Sequence, residues 1–174
     1  MFKSIDKLHV IKKFKLNEKE FLHLAVFALR CFASAEISYL LASAVGLPYP
    51  VWAPISALIV SQERLPETRT TLIRRVIGTI FGVCIAVAVH IVTSPFDMDI
   101  GLQAAISVGI CALIAYERPN FRTSLVTGPI ILMIAPSSDP MVMVGIYRGS
   151  EVIIGGLVGI TLHFLADRFL TVLD

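Results

Sequence analysis

The sequence predicts an all-α integral membrane protein of six transmembrane helices, and three observations predict it. First, the 174-residue chain is 56% hydrophobic and only 16% charged, against about 45–50% and about 25% in a typical soluble domain. Second, its charges leave five long empty windows, at residues 37–62, 76–96, 100–116, 123–138 and 152–166. A hydrocarbon core of about 30 Å takes about 20 helical residues to span. The 76–96 window meets that alone; the others do so with their flanks or as short, broken helices. After residue 20 only 19 charged side chains remain, too few to coat a bundle of buried soluble helices. Third, Lys and Arg fall almost wholly into alternate loops, as the positive-inside rule requires of a multi-pass protein.

Residues 1–20 form a basic segment with six lysines, suited to the cytoplasm and to lying on an anionic inner leaflet. Asp6, Glu18, Glu20 and the interrupting Arg30 argue against a cleaved signal peptide. The six-helix domain spans 21–168, with helices expected at about 22–45, 51–63, 73–92, 100–116, 123–136 and 146–166, and 169–174 is a short cytoplasmic tail. Gly46-Leu-Pro48-Tyr-Pro50 ends the first helix, and Pro66 is read as the break between the second and third. Ser94-Pro95, Pro119-Asn120 and the stretch from Pro136 to Pro140 mark the remaining breaks. Thirteen of the fifteen Lys and Arg side chains lie in the N-terminal segment, the loops 61–75 and 117–122, and at Arg168 beside the tail. The loops 46–50, 93–99 and 137–145 have none. Both termini are therefore expected in the cytoplasm.

An internal repeat accompanies this count. Gly78 and Gly82 recur as Gly155 and Gly159, 77 residues on, and Pro54 recurs as Pro129, 75 residues on. Halves of three spans each must face opposite ways, so the expectation is a 3+3 inverted repeat. Its second and fifth helices are short and proline-interrupted, and such pairs point to a solute site near the midplane.

The run Tyr49-Pro-Val-Trp52-Ala53-Pro54 and the following Ile-Ser-Ala-Leu-Ile-Val, then a basic loop, then Arg74-Arg75-Val-Ile-Gly78-Thr79-Ile-Phe-Gly82, resembles the fusaric acid resistance and aromatic acid exporter family. The resemblance covers roughly residues 20–165. It implies proton-driven efflux of aromatic or other organic acids and a distant likeness to plant malate channels. Family members are usually larger, with a cytosolic domain after six helices. The chain stops eight residues after Ala166, so a homo-oligomer, dimer or higher, or a separate cytosolic or periplasmic partner is expected.

Charges at membrane depth cost at least about 2.5–3.5 kcal/mol on insertion scales, which makes function a first hypothesis for each. Arg30 and Arg148 are read as anion-binding residues, because a planar guanidinium suits a carboxylate; the alternative is that both sit shallowly and snorkel. Glu36 and Glu151 are read as proton carriers, with a plain i,i+3 ion pair between Arg148 and Glu151 as the bland alternative. Trp52 either stacks on substrate or belongs to an interfacial belt. Pro54 and Pro129 either free backbone carbonyls to line a shared cavity near Arg30 or merely kink their helices. Gly78, Gly82, Gly155 and Gly159 are read as close-packing surfaces within or between subunits. His90 and His163 are read as interfacial, and Arg74 and Arg75 as topology signals or the rim of an inner vestibule.

No nucleophile–base pair, metal-ligand spacing or phosphate-binding glycine loop is present, so no catalytic residue, metal, cofactor or nucleic-acid partner is expected. Cys31, Cys84 and Cys111 sit singly in apolar runs. The reading is a transporter subunit of the bacterial inner membrane exporting small organic acids. A passive anion channel and a non-transporting accessory protein are the alternatives.

Overall fold

The computed structural model describes residues 18–61, 65–134 and 139–173. They form six α-helices: α1 Glu18–Ala44, α2 Trp52–Val60, α3 Leu65–Thr93, α4 Ile100–Glu117, α5 Ser124–Ile134 and α6 Met141–Leu173. Short 3-10 turns, Ser94–Phe96 and Pro119–Phe121, follow α3 and α4. The basic segment expected at 1–20 lies outside the described residues as far as position 17. Four stretches are long and apolar enough to cross a membrane: Glu20–Ala44, Glu67–Phe96, Ile100–Glu117 and Met141–Val172. The chain is thus an all-helical, multi-pass membrane protein.

The other two helices cannot span unaided. At 1.5 Å per residue, the 9 residues of α2 and 11 of α5 reach only about 14 Å and about 17 Å. Chain geometry explains their ends. Gly46, at φ 78°, closes α1 with its N–H on the Ser43 carbonyl and the Leu47 N–H on the Ala42 carbonyl, the αL arrangement that satisfies orphan carbonyls. Asp99 caps α4 by accepting from the Gly101 and Leu102 N–H groups.

The prolines act differently from the expectation. Pro54 is the third residue of α2, where a missing N–H costs nothing because first-turn donors have no intrahelical partner. The Pro50 carbonyl is not stranded either; it accepts from the Ala53 N–H. Pro129 alone lies inside its helix. Pro66, expected as a break, is the second residue of α3 for the same first-turn reason. As a result α3 begins eight residues earlier than the 73 expected, and α6 runs from Met141 to Leu173 rather than 146–166.

Packing follows a reciprocal pattern. α6 is clasped by α1, α2 and α3, while α3 is clasped by α4, α5 and α6. So α1 and α2 of the first half pack on the last helix of the second half, and α4 and α5 pack on the last helix of the first. The glycines make the close approaches. A Cβ on Gly155 would run into the Ala53 carbonyl of α2, and one on Gly159 would lie 2.8 Å from the Ala57 carbonyl oxygen. On the other side, a Cβ on Gly78 or Gly82 would lie 2.7 Å from Thr123 Cβ or 2.9 Å from Thr127 Cβ, respectively, at α5. All four packing glycines are therefore filled within the chain. A small apolar core of Ala86, Ala104, Ile131, Leu132 and Val144 joins α3 to α6, whereas large apolar side chains such as Leu113, Ile80 and Leu157 face outward, as lipid contact requires.

Candidate functional site

The close α2–α6 seam brings charged groups into the bundle. Arg148 and Glu151 lie one turn apart on α6 and are 5% and 1% exposed. The Gly155 and Gly159 contacts draw α2 against this face, so the Arg148 guanidinium carbon sits 4.2 Å from the Trp52 ring centroid, a cation–π geometry. The Glu151 carboxylate lies beside the Tyr49 backbone and within Coulomb range of Arg148. Among the described residues, three polar atoms here have no hydrogen-bond partner: Arg148 Nε, Arg148 Nη1 and Glu151 Oε1. Leaving such atoms buried and unpaired is costly, so the cluster is built to meet something further.

A second guanidinium belongs to the same cluster. Arg75 of α3 is 7% exposed, and its Nη2 donates to Ser56 Oγ of α2 at 3.2 Å. The Ser56 hydroxyl in turn donates to the Trp52 carbonyl at 2.9 Å. Arg75 Nε has no partner among the described residues, and Arg75 and Arg148 are close enough to repel one another. Two guanidinia against one carboxylate leave an excess positive charge among α2, α3 and α6. Such a space favours an anion, and one with two oxygens can accept from several of the idle N–H groups.

Beside the cluster lies a cavity of about 10 Å³ lined by Tyr49, Trp52, Ile131, Ile134, Arg148 and Glu151. That volume is roughly the room of one water. Helices α2 and α5 both contribute to this cavity, but they share no packing seam among the described residues: α2 lies on α6 and α1, α5 on α4 and α3. Pro54 and Pro129 are both partly buried and do not line it.

Arg30 is not part of this cluster. It lines a half-open cleft of about 450 Å³ between α1 and α6, with Phe27, His23, His163, Asp167 and Leu170. Its guanidinium carbon lies 5.0 Å from the Phe27 ring centroid. His163 is buried and shares a 2.6 Å hydrogen bond with the Thr68 hydroxyl through Nδ1. Glu36 lies in neither site; it is exposed on the outer face of α1.

Sequence reasoning placed Arg75 at a topology-setting helix start or an inner rim rather than in this cluster, and missed Ser56 as a site residue. The available signal was Pro66: placed in a first turn, it moves Arg75 ten residues into α3, about 15 Å along the axis.

Two comparisons place the chain among known proteins. A family model described as fusaric acid resistance protein-like matches residues 37–162. The UPF0421 protein YgaE of Bacillus subtilis (strain 168) is 31% identical over 133 residues, which is 75% of this chain and 37% of that protein. The chain thus spans well under half the length of this curated relative. No solved structure matches it.

Proposed function

The chain belongs to the fusaric acid resistance protein-like family, and on that premise we propose that it is a transporter subunit exporting small organic, aromatic acids across the bacterial inner membrane. The observation that carries this reading is the buried Arg148, with two idle guanidinium nitrogens, facing Trp52 and backed by Arg75. The substrate carboxylate accepts from Arg148 and Arg75, while Trp52 and the Ile131 and Ile134 side chains meet its apolar body. Glu151 is the proton carrier: its Oε1 is buried without a partner, so a proton can be held there without breaking an existing bond. At about 10 Å³ the cavity is closed to an organic acid, so entry is a conformational step in which Ile131 and Ile134 of α5 move away from Trp52. The Arg30 cleft is the waiting position at the cytoplasmic end, reached by the solute before that step.

The reciprocal packing of α1 and α2 on α6, and of α4 and α5 on α3, supports a 3+3 inverted repeat whose exchange of halves supplies alternating access. The positive charge of the alternate loops supports cytoplasmic termini.

Reconstituted vesicles test the proposal. Purified chain in liposomes should move radiolabelled benzoate or fusaric acid, and Arg148→Leu should cut the rate at least tenfold while the protein stays folded. Losing a charge-assisted hydrogen bond of about 1.5–3 kcal/mol predicts that range. Flux of neither acid, or full flux in Arg148→Leu, would sink it. Flux that ignores an imposed pH gradient at fixed membrane potential would turn the reading to a passive anion channel.

A further inference from the structure

Four of the six helices are spans, and α1 is the least covered of them. Its most apolar window is 17% buried, against 28–39% for the other three. The buried residues of α1, Arg30, Ser34, Ser38 and Ala42, recur every four positions and form one narrow stripe towards the rest of the bundle. On the opposite face Leu29, Phe32, Glu36, Tyr39, Leu40 and Ser43 are all exposed. At 100° per residue these six fall within an arc of roughly 100°, so they form a second continuous stripe.

That stripe is wrong for lipid. Glu36 lies eight residues before the end of α1 and sixteen after the start of the spanning stretch, about 12 Å and about 24 Å along the axis. It is therefore deep in the hydrocarbon, and among the described residues nothing bonds to it. Intramembrane carboxylates almost always face protein or water, because lipid offers neither hydrogen bonds nor charge. Tyr39 and Ser43, one and two turns further on, add two exposed hydroxyls to the same face. The glycine surfaces, the other feature that could call for a partner, are already filled inside the chain.

We propose that the outward stripe of α1 is where a second copy of this chain docks, with the Glu36 carboxylates close to a two-fold axis normal to the membrane. The stripe fits itself. The membrane holds both copies in one orientation, so a two-fold axis sets identical faces opposite each other. Each face then offers one acceptor at Glu36 and a hydroxyl donor at Tyr39 to its mate. Leu29, Phe32 and Leu40 supply the apolar flanks. The two carboxylates share a proton or take the hydroxyls, and either arrangement removes a charge from lipid. The inference rests on the membrane-spanning reading alone, not on transport.

Cross-linking tests it directly. In a background with Cys31, Cys84 and Cys111 replaced by Ala, single cysteines at Phe32 and Ser43 are oxidised with copper phenanthroline in native membranes, beside Leu113→Cys on the lipid face of α4. Disulfide-linked dimers are expected at positions 32 and 43 and not at 113. Links at 113 alone, or at none of the three, overturn the proposal. As a second measurement, single-molecule photobleaching of the full chain in bilayers should give two-step traces. Glu36→Leu should then shift the monomer–dimer midpoint roughly fivefold towards monomer, the scale of one interhelical hydrogen bond. Single-step traces at all densities, or no shift in Glu36→Leu, also overturn it.

Discussion

The α2–α6 seam makes a sharp comparison possible between two chemically identical substitutions. Gly155 and Gly109 are both helical, and both become Ala by gaining one methyl group. At Gly109 a Cβ meets nothing within 4 Å, so the change only improves helix propensity, by about 1 kcal/mol or less. At Gly155 the new Cβ would collide with the Ala53 carbonyl, with the Ala53 carbonyl carbon and Ser56 Cβ each only 2.9 Å away. Ordinary contact begins near 3.4 Å, and the obstacle is backbone that cannot rotate aside. The α2 and α6 axes must separate, and overpacking of this kind costs about 1–3 kcal/mol. The propensity gain is common to both, so the two substitutions should differ by about 1–3 kcal/mol. Thermal unfolding in detergent micelles, followed by tryptophan fluorescence, reads this out, and Trp52 as the single tryptophan reports on the seam itself. Gly155→Ala should lower the midpoint by several degrees and Gly109→Ala should leave it unchanged or raise it. Equal midpoints in the two variants would refute the claim that α2 is held by backbone contact with α6. The same separation would pull Trp52 off Arg148, so Gly155→Ala should also lose solute binding while Gly109→Ala keeps it.

Other outcomes follow from the same contacts. Arg148→Lys keeps charge but not the planar fork, so benzoate affinity should fall about tenfold, intermediate between wild type and Arg148→Leu, in a flux or binding titration. Ser56→Ala removes the acceptor of the Arg75 Nη2 bond and should destabilise the fold by about 1–3 kcal/mol in the same thermal assay, because it leaves another buried guanidinium nitrogen unpaired. Glu151→Gln should abolish the dependence of flux on a pH gradient while solute binding persists; retained pH-gradient coupling would move the proton elsewhere. In a cysteine-free background, Asp97→Cys should react with an impermeant maleimide from the outer face and Asn120→Cys only after the inner face is opened, and the reverse pattern would invert the topology.

Much of this architecture is legible in the linear chain, because lipid is a simple solvent. A backbone in hydrocarbon must bond to itself and charges must leave, so empty charge windows, Gly-Pro breaks and the alternation of basic loops translate almost directly into helices and their number. The glycine spacing at 78/82 and 155/159 likewise announces close packing, since nothing else lets backbones approach. What the chain could not announce is which helix each stripe meets. Spacing alone does not say that Gly155 is filled by Ala53 rather than by another subunit, nor that Pro54 and Pro66 fall in first turns where a missing N–H is free. That eight-residue difference at Pro66 carries Arg75 from the expected start of the helix into the bundle beside Ser56 and Arg148. The facing of a charge is equally a tertiary property. Arg30 and Glu36 are six residues apart in one helix, yet one lines a cleft on α6 and the other points away from the bundle, because each residue advances the helix by about 100° and only the packed neighbours decide which side is inside.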